Sequence, residues 1–288
     1  MNLITPFDPW QSKLCTCPTK YSLSAYTGCS HGCLYCYASS YIRKFDSPRP
    51  KKDFLKKLET EVKKITPGST ITIANSSDPY QSLEKKLQLT RKTLEILKNY
   101  DLKINLVTKS SLILRDIKIL EAINRKQRIV ACISLTTPNE KLAKKLEPGA
   151  STVKERLKTI KLLAKKIPIA VRLDPLIYPL TTEKIEDMIK NLKTVGAKQI
   201  ITSTYKTKPD NFKKMIAGFN QFKKLWEELY LKQGQRKNQY IYLPFKIRKE
   251  LIEKVRNVTL SYGLKFSSCR EGFEELNTSG CDGSSFLE

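Results

Sequence analysis

The feature that most constrains this chain is a serial alternation of short β-rich runs with longer helical patterns. The runs fall at residues 20–26 (KYSLSAY), 70–75 (TITIAN), 103–108 (KINLVT), 128–135 (RIVACISL), 168–174 (PIAVRLD) and 199–203 (QIITS). Those from residue 70 onward are rich in β-branched residues and follow a turn or a charged loop, as strands do. Between them, residues 52–64, 85–99, 113–124, 152–166 and 181–194 carry apolar side chains at three- and four-residue spacing, which predicts helices. Ser151-Thr152 followed by Glu155 is a helix-start signature, and Val195-Gly196-Ala197 reads as a helix stop. Six β-α units joined by right-handed crossovers give a parallel sheet. No glycine-rich dinucleotide fingerprint is present, so the expectation is an α/β fold, a partial (β/α)6 TIM-like barrel, rather than a doubly wound sheet. Either fold places its chemistry at the C-terminal ends of the strands.

After residue 208 the pattern changes. Residues 212–233 predict one long amphipathic helix, 234–238 (GQRKN) a basic break, 246–262 a further helix, and 264–288 a cysteine-bearing tail. The expected organisation is an N-terminal cysteine-bearing segment (1–19), the barrel (20–208), and a helical, cysteine-bearing C-terminal extension packed on it (209–288).

Fifty-three Lys and Arg against 28 Asp and Glu leave a net charge of +25. A field of that size attracts polyanions and suits a nucleic-acid substrate. Most of the excess is lysine spread along the chain, so solvated lysine faces without a partner are the alternative. No apolar run approaches the ~20 residues of a membrane span. The start, Met1-Asn2-Leu3-Ile4-Thr5-Pro6, has no secretory pattern. A cytoplasmic setting, without membrane attachment, is therefore expected. Clustered cysteines in such a compartment read as metal ligands or catalytic groups.

Eight cysteines are present, and three of them, Cys29, Cys33 and Cys36, share one tight loop directly after the first run, TGCSHGCLYCY at 27–37. A [4Fe–4S] cube takes four thiolate ligands. Three from one loop leave one iron open to chelate a substrate. Gly28 and Gly32 let the backbone fold closely around such a group. The alternative is zinc, with His31, the chain's sole histidine, drafted as a fourth ligand in a cramped arrangement.

This loop, with aromatic Tyr35 just before its last cysteine, resembles the cluster motif of the radical S-adenosylmethionine superfamily. Together with SDPYQ at 77–81, TKS at 108–110 and LEPGA at 146–150, it is similar to the spore photoproduct lyase-like group, often labelled "DNA repair photolyase". The likeness runs from about residue 20 to 180. It implies a [4Fe–4S] cluster on Cys29, Cys33 and Cys36, bound S-adenosylmethionine, and an electron donor such as ferredoxin or flavodoxin. It further implies Ser77, Lys109 and Ser134 as cofactor contacts. Arg172 points into the barrel if its neighbours Val171 and Leu173 point out, and an inward Arg needs a partner, which a cofactor carboxylate would supply. A turn for Ser77, solvation for Lys109, and a structural ion pair with Asp174 or Glu147 for Arg172 are the alternatives. Tyr35 and Tyr37 are candidate radical relays, with simple packing as the other reading. One departure matters: relatives that repair spore photoproduct carry a hydrogen-donating cysteine where this chain has Asn75, which argues against thymine-dimer repair as such.

Of the remaining cysteines, Cys132 sits in an apolar run and reads as a buried small residue. Cys15, Cys17, Cys269 and Cys281 sit at the two chain ends. They make a full ligand set for a second [4Fe–4S] cluster or a zinc ion if the ends meet; free thiols or a disulfide are the alternatives. Three functions follow. The leading one is a radical enzyme acting on a nucleic acid or nucleotide. The others are a radical enzyme acting on a peptide or small molecule, and a non-catalytic, zinc-stabilised nucleic-acid-binding protein.

Overall fold

The computed structural model describes residues 2–7, 14–73, 76–126 and 128–287; Asn75 lies outside them. Its strands in chain order are β1 (Thr5–Pro6), β2 (Tyr21–Leu23), β3 (Tyr26–Thr27), β4 (Arg49–Pro50), β5 (Thr70–Ile73), β6 (Lys103–Thr108), β7 (Ile129–Ser134), β8 (Ile169–Leu176), β9 (Gln199–Thr204), β10 (Gln235–Lys237), β11 (Tyr240–Tyr242) and β12 (Lys265–Ser268). Its α-helices are α1 (Phe54–Glu61), α2 (Ser82–Leu87), α3 (Leu89–Leu97), α4 (Ile117–Asn124), α5 (Glu140–Leu146), α6 (Val153–Leu163), α7 (Ile185–Thr194), α8 (Pro209–Gly218), α9 (Lys223–Trp226) and α10 (Phe245–Ser261).

The main sheet has the order β1-β2-β5-β6-β7-β8-β9-β12. From β2 to β12 every pairing is parallel, while β1 lies antiparallel on β2 at one edge. Helical crossovers cover a parallel sheet, so its strands are buried on both faces. Accordingly β7 and β9 are buried at every position. This is the partial TIM-like arrangement expected from the six β-α units. Alternation then sorts the side chains. In β8, Val171 and Leu173 join the main core, while Arg172 between them faces the central cavity. Inside the barrel Cys132, Ala170 and Ile201 form a small apolar cluster of their own, so Cys132 is the buried small residue that its neighbours implied.

Local expectations change at several points. The first run is split: Tyr21–Leu23 forms β2, while Tyr26 falls in β3, paired with β4 in a separate two-stranded sheet. Residues 212–233 are not one helix. Gly218 ends α8 where an added Cβ would lie 2.8 Å from Leu34 Cδ1, so the chain leaves the helix where it meets the cysteine loop. Phe219 and Phe222 then turn onto Trp226, with ring centroids 6.3 and 5.4 Å away, and the indole N–H donates to Tyr178 O at 2.7 Å. A 3-10 turn, the short α9 and a wider π-type turn over Glu227–Lys232 replace the continuous helix. The third change is that residues 85–99 are divided between α2 and α3. The buried carboxylate of Glu84 accepts the N–H groups of Thr90 and Arg91 at 2.9 and 3.2 Å and so starts a new helix within the old pattern. Fourth, α7 begins at Ile185, because Thr181 and Thr182 close a turn on Ile177 and Pro179. Fifth, the segment beyond residue 208 does more than pack on the barrel: β12 adds a seventh parallel strand, beside β9. By contrast, the start of α6 is the expected capping box. Thr152 Oγ1 accepts from Glu155 N–H at 3.2 Å, and the Glu155 carboxylate accepts from Thr152 N–H at 2.8 Å.

Candidate metal and cofactor site

The C-terminal ends of the strands open on a cavity of about 440 Å³ whose wall includes Cys29, Cys33 and Cys36. The loop carrying them is pinned from three sides. Gly28 (φ +82°) leads into it, and a Cβ there would sit 2.4 Å from Phe45 O, the same carbonyl that accepts from Cys29 N–H at 2.9 Å. After β5, Ser77 Oγ donates to Gly28 O at 2.6 Å. Gln81 Nε2 donates to that same carbonyl at 3.1 Å, and Gln81 Oε1 accepts from Ser30 N–H at 3.0 Å. Ser77 therefore orients the cysteine loop directly, beyond forming a turn.

The third anchor is the segment 146–150. Leu34 N–H donates to Leu146 O and Gly149 N–H to His31 O, both at 2.9 Å. A Cβ on Gly149 would lie 2.3 Å from Ser30 O, so only glycine permits this approach. Between them Glu147, 1% exposed, accepts the Tyr35 hydroxyl and, at 2.8 Å, that of Thr136, and pairs with Arg156 at 2.5 Å. Burial opposes the Glu147 charge, but Arg156 and Lys109 outweigh it and hold the carboxyl below its usual range. Tyr35, a candidate relay, is thus buried with its proton directed at Glu147. Arg156 and Glu147 escaped sequence reasoning as site elements; the only signal was their place in and beside LEPGA.

Burial pushes the Cys29 thiol up to about 12 and raises Cys33 and Cys36 as well. Thiolates at these positions need a cation beside them. His31 does not stand free as a ligand: its ring Nδ1 lies 3.5 Å from Asp78 Oδ2, and burial lowers its pKa, keeping it neutral. Asp78 also accepts the Lys109 N–H at 2.7 Å and the Thr108 hydroxyl at 2.7 Å, tying the end of β5 to that of β6.

Lys109, Ser134 and Arg172 all line the cavity. Arg172 already pairs with Asp174 at 2.6 Å, not with Glu147. Burial opposes the Asp174 charge, yet Arg172 and Lys206 hold that carboxyl down at about 2. Lys109 has no ion-pair partner among the described residues. Burial works against its charge, but Cys33 and Glu147 nearby keep its pKa raised. On the cavity wall Tyr37 stacks with Tyr41 (6.4 Å) and meets the buried Tyr240 edge-on (6.1 Å). Arg270 lies 5.7 Å from the Tyr37 ring and 5.1 Å from that of Tyr240, and Lys208 lies 4.7 Å from the latter. The four terminal cysteines, Cys15, Cys17, Cys269 and Cys281, also line the cavity.

Three thiols on one pinned loop facing open space fit a cluster that keeps one iron free. The family model of the radical SAM superfamily matches residues 23–192. The chain belongs to that superfamily, whose members hold a [4Fe–4S] cluster and S-adenosylmethionine. Spore photoproduct lyase, in a structure with dinucleoside spore photoproduct, is 15% identical with a TM-score of 0.68, covering 92% of this chain and 78% of that one. SuiB of Streptococcus suis, bound to S-adenosylmethionine, is 14% identical with a TM-score of 0.53, covering 86% and 46%. At these identities the likeness is one of fold. Among curated relatives, an uncharacterized protein of Mycobacterium tuberculosis is 24% identical over 193 residues, covering 62% of this chain and 57% of that protein. The uncharacterized protein ORF301 of the Acidianus two-tailed virus is 27% identical over 202 residues, covering 62% and 65%. The chain thus spans about three fifths of the length of these relatives. No helix among the described residues is long and apolar enough to cross a membrane.

Gly149→Ala tests the third anchor. The added methyl must push Ser30 away, an overpacking cost of about 1–3 kcal/mol. The expected result is a modest fall in Tm together with reduced iron retention after anaerobic desalting. Full iron retention would show that the 146–150 contact does not hold the loop.

Proposed function

We propose that this protein is a radical enzyme that binds its cluster through Cys29, Cys33 and Cys36 and acts on a nucleic acid or nucleotide. The observation that carries the first part is that these three thiols and Lys109, which has no ion pair among the described residues, line one cavity. When bound, the cluster supplies the electron that splits the carbon–sulfur bond of S-adenosylmethionine and yields the 5′-deoxyadenosyl radical. Lys109 offers its ammonium to the cofactor carboxylate, the role left open by Arg172, whose charge Asp174 already balances. Ser134 supplies a hydroxyl on the neighbouring strand. Ser77 serves the cofactor indirectly, by fixing the Gly28 carbonyl. Glu147 and Tyr35 hold the far side of the loop. An external donor such as ferredoxin or flavodoxin supplies the electron.

The substrate class rests on an aromatic and cationic cluster beside the cavity. Tyr37 and Arg270 line the cavity, Tyr41 is exposed, and the buried Tyr240 and Lys208 pack against them. Bases stack on aromatic faces and phosphates attract cations, which is how single strands are held without sequence readout. The net charge of +25 adds long-range attraction. Thymine-dimer repair is not the proposed reaction, because Asn75 replaces the hydrogen-donating thiol.

The test is fluorescence anisotropy with single-stranded RNA and DNA across a salt series, alongside 5′-deoxyadenosine formation with dithionite under anaerobic conditions. Binding should weaken linearly in log salt, and the double variant K208A/R270A should reduce that slope by about 2. Cofactor cleavage without salt-dependent binding of either nucleic acid would overturn the substrate class and leave a peptide or small molecule. Absence of 5′-deoxyadenosine from protein with a fully loaded cluster would overturn the radical mechanism.

A further inference from the structure

The sheet is an open barrel whose edges, β1 and β12, do not pair with each other among the described residues. The segment before β2 carries Cys15 and Cys17 on one side of this seam. Cys269 follows β12 on the other, held by its N–H to Thr202 O at 2.8 Å. The tail crosses the barrel interior between them. Asn105 Nδ2 and Cys132 Sγ donate to Asp282 O at 2.6 and 3.2 Å, and Gln199 Nε2 donates to Gly280 O at 2.8 Å. Lys20 pairs with the Asp282 carboxylate, and Gly283 lies so close to Cys132 and Ala170 that a Cβ would be 3.3 Å from each.

These contacts deliver Cys281 to Cys17 with their sulfurs 3.3 Å apart, across 264 residues of sequence. Cys15 lies within electrostatic reach of Cys17, and Cys269 within reach of both Cys15 and Cys281. Lys20 and Arg172 act on Cys17, and Arg270 on Cys269. Four thiols, drawn from both edges of the seam, thus line one cavity, with these cations within electrostatic reach of them.

We propose that Cys15, Cys17, Cys269 and Cys281 form a second metal site, a tetrathiolate centre that closes the seam. Two thiolates on one tetrahedral ion, each bond about 2.3 Å, sit roughly 3.8 Å apart. The Cys17–Cys281 approach is close to that spacing, so both sulfurs bind the same metal atom, and the expected occupant is a single zinc ion. The surrounding cations offset the negative charge of four thiolates. A disulfide between Cys17 and Cys281 would leave Cys15 and Cys269 unexplained. The site does not depend on the triad reading, because it shares no ligand with it.

The experiment is metal and sulfide analysis of anaerobically purified full-length protein, wild type and variants. C29A/C33A/C36A should lose about four irons yet keep one equivalent of zinc. C17S/C281S should keep the irons and lose the zinc. About four further irons with sulfide that persist in C29A/C33A/C36A and vanish in C17S/C281S would support a metal site on these thiols but overturn the single-ion occupant. Wild-type protein with four irons and no other metal would overturn the proposal without relying on any variant. So would a Cys17–Cys281 disulfide found by thiol titration and mass mapping. If C17S/C281S does not fold, the wild-type and C29A/C33A/C36A counts decide alone.

Discussion

Cys33→Ala is expected to leave a folded protein that has lost about four irons per chain and forms 5′-deoxyadenosine no faster than a protein-free control. The reasoning starts from ligand number. Cys29, Cys33 and Cys36 are the three thiols that this single loop supplies, and the loop holds no fourth cysteine to replace one of them. His31 is turned to Asp78 and held neutral. Ser30 is occupied with Gln81 and Ser82. The substitution deletes one sulfur and leaves the loop's anchors in place, because these are backbone and Ser77, Gln81 and Glu147 contacts. The far-ultraviolet circular dichroism should therefore match wild type while the brown absorbance of the cluster disappears. Iron and sulfide analysis, an absorbance spectrum and chromatographic detection of 5′-deoxyadenosine check the three parts separately. Retention of four irons on the loop in Cys33→Ala would remove Cys33 from the ligand set.

Much of the molecule was legible because its signals are local. A strand-length apolar run, a helical period and a capping pair such as Thr152 and Glu155 each lie within a few residues, and the structure follows them through six parallel strands. The cysteine loop was legible for the same reason. What escaped depends on distant partners. The break at Gly218 is set by Leu34, and the division between α2 and α3 by a carboxylate whose other partners are Tyr26, 58 residues upstream, and Arg115. Nothing near residue 265 says that β12 will pair with β9. In the site, Arg172 was visible as an inward charge through alternation alone, but its choice of Asp174 over Glu147 was not. Glu147 goes instead to Arg156 on the next helix and to Tyr35, 112 residues away. Motif 146–150 could be read as a likeness without a physical role. The role is the close approach at Gly149 and the buried carboxylate beside it.

That carboxylate carries the other large effect. Arg156→Met is expected to destabilise the protein by about 3–5 kcal/mol, because it strands Glu147 as a buried charge without its main partner. Both side chains are 1% exposed, so water cannot substitute. Arg156 also donates to Ser151 O at 2.7 Å and Ser134 O at 3.0 Å, and those carbonyls lose their partner too. Methionine roughly preserves the volume, which separates the charge effect from a cavity. For a chain of this size the fall in Tm is on the order of 10 °C. Adding Glu147→Gln to Arg156→Met should recover part of the loss, since a neutral amide is cheaper to bury than a lone carboxylate. Glu147→Gln alone should be milder than Arg156→Met on stability, although it weakens the acceptor for Tyr35. The network holds Leu146 and Gly149 against the cysteine loop, so Arg156→Met should also lose iron faster than wild type during anaerobic dialysis at a temperature where both remain folded. A stability change under about 1 kcal/mol, or no recovery in the double variant, would show that this buried pair is not what fixes the far side of the loop.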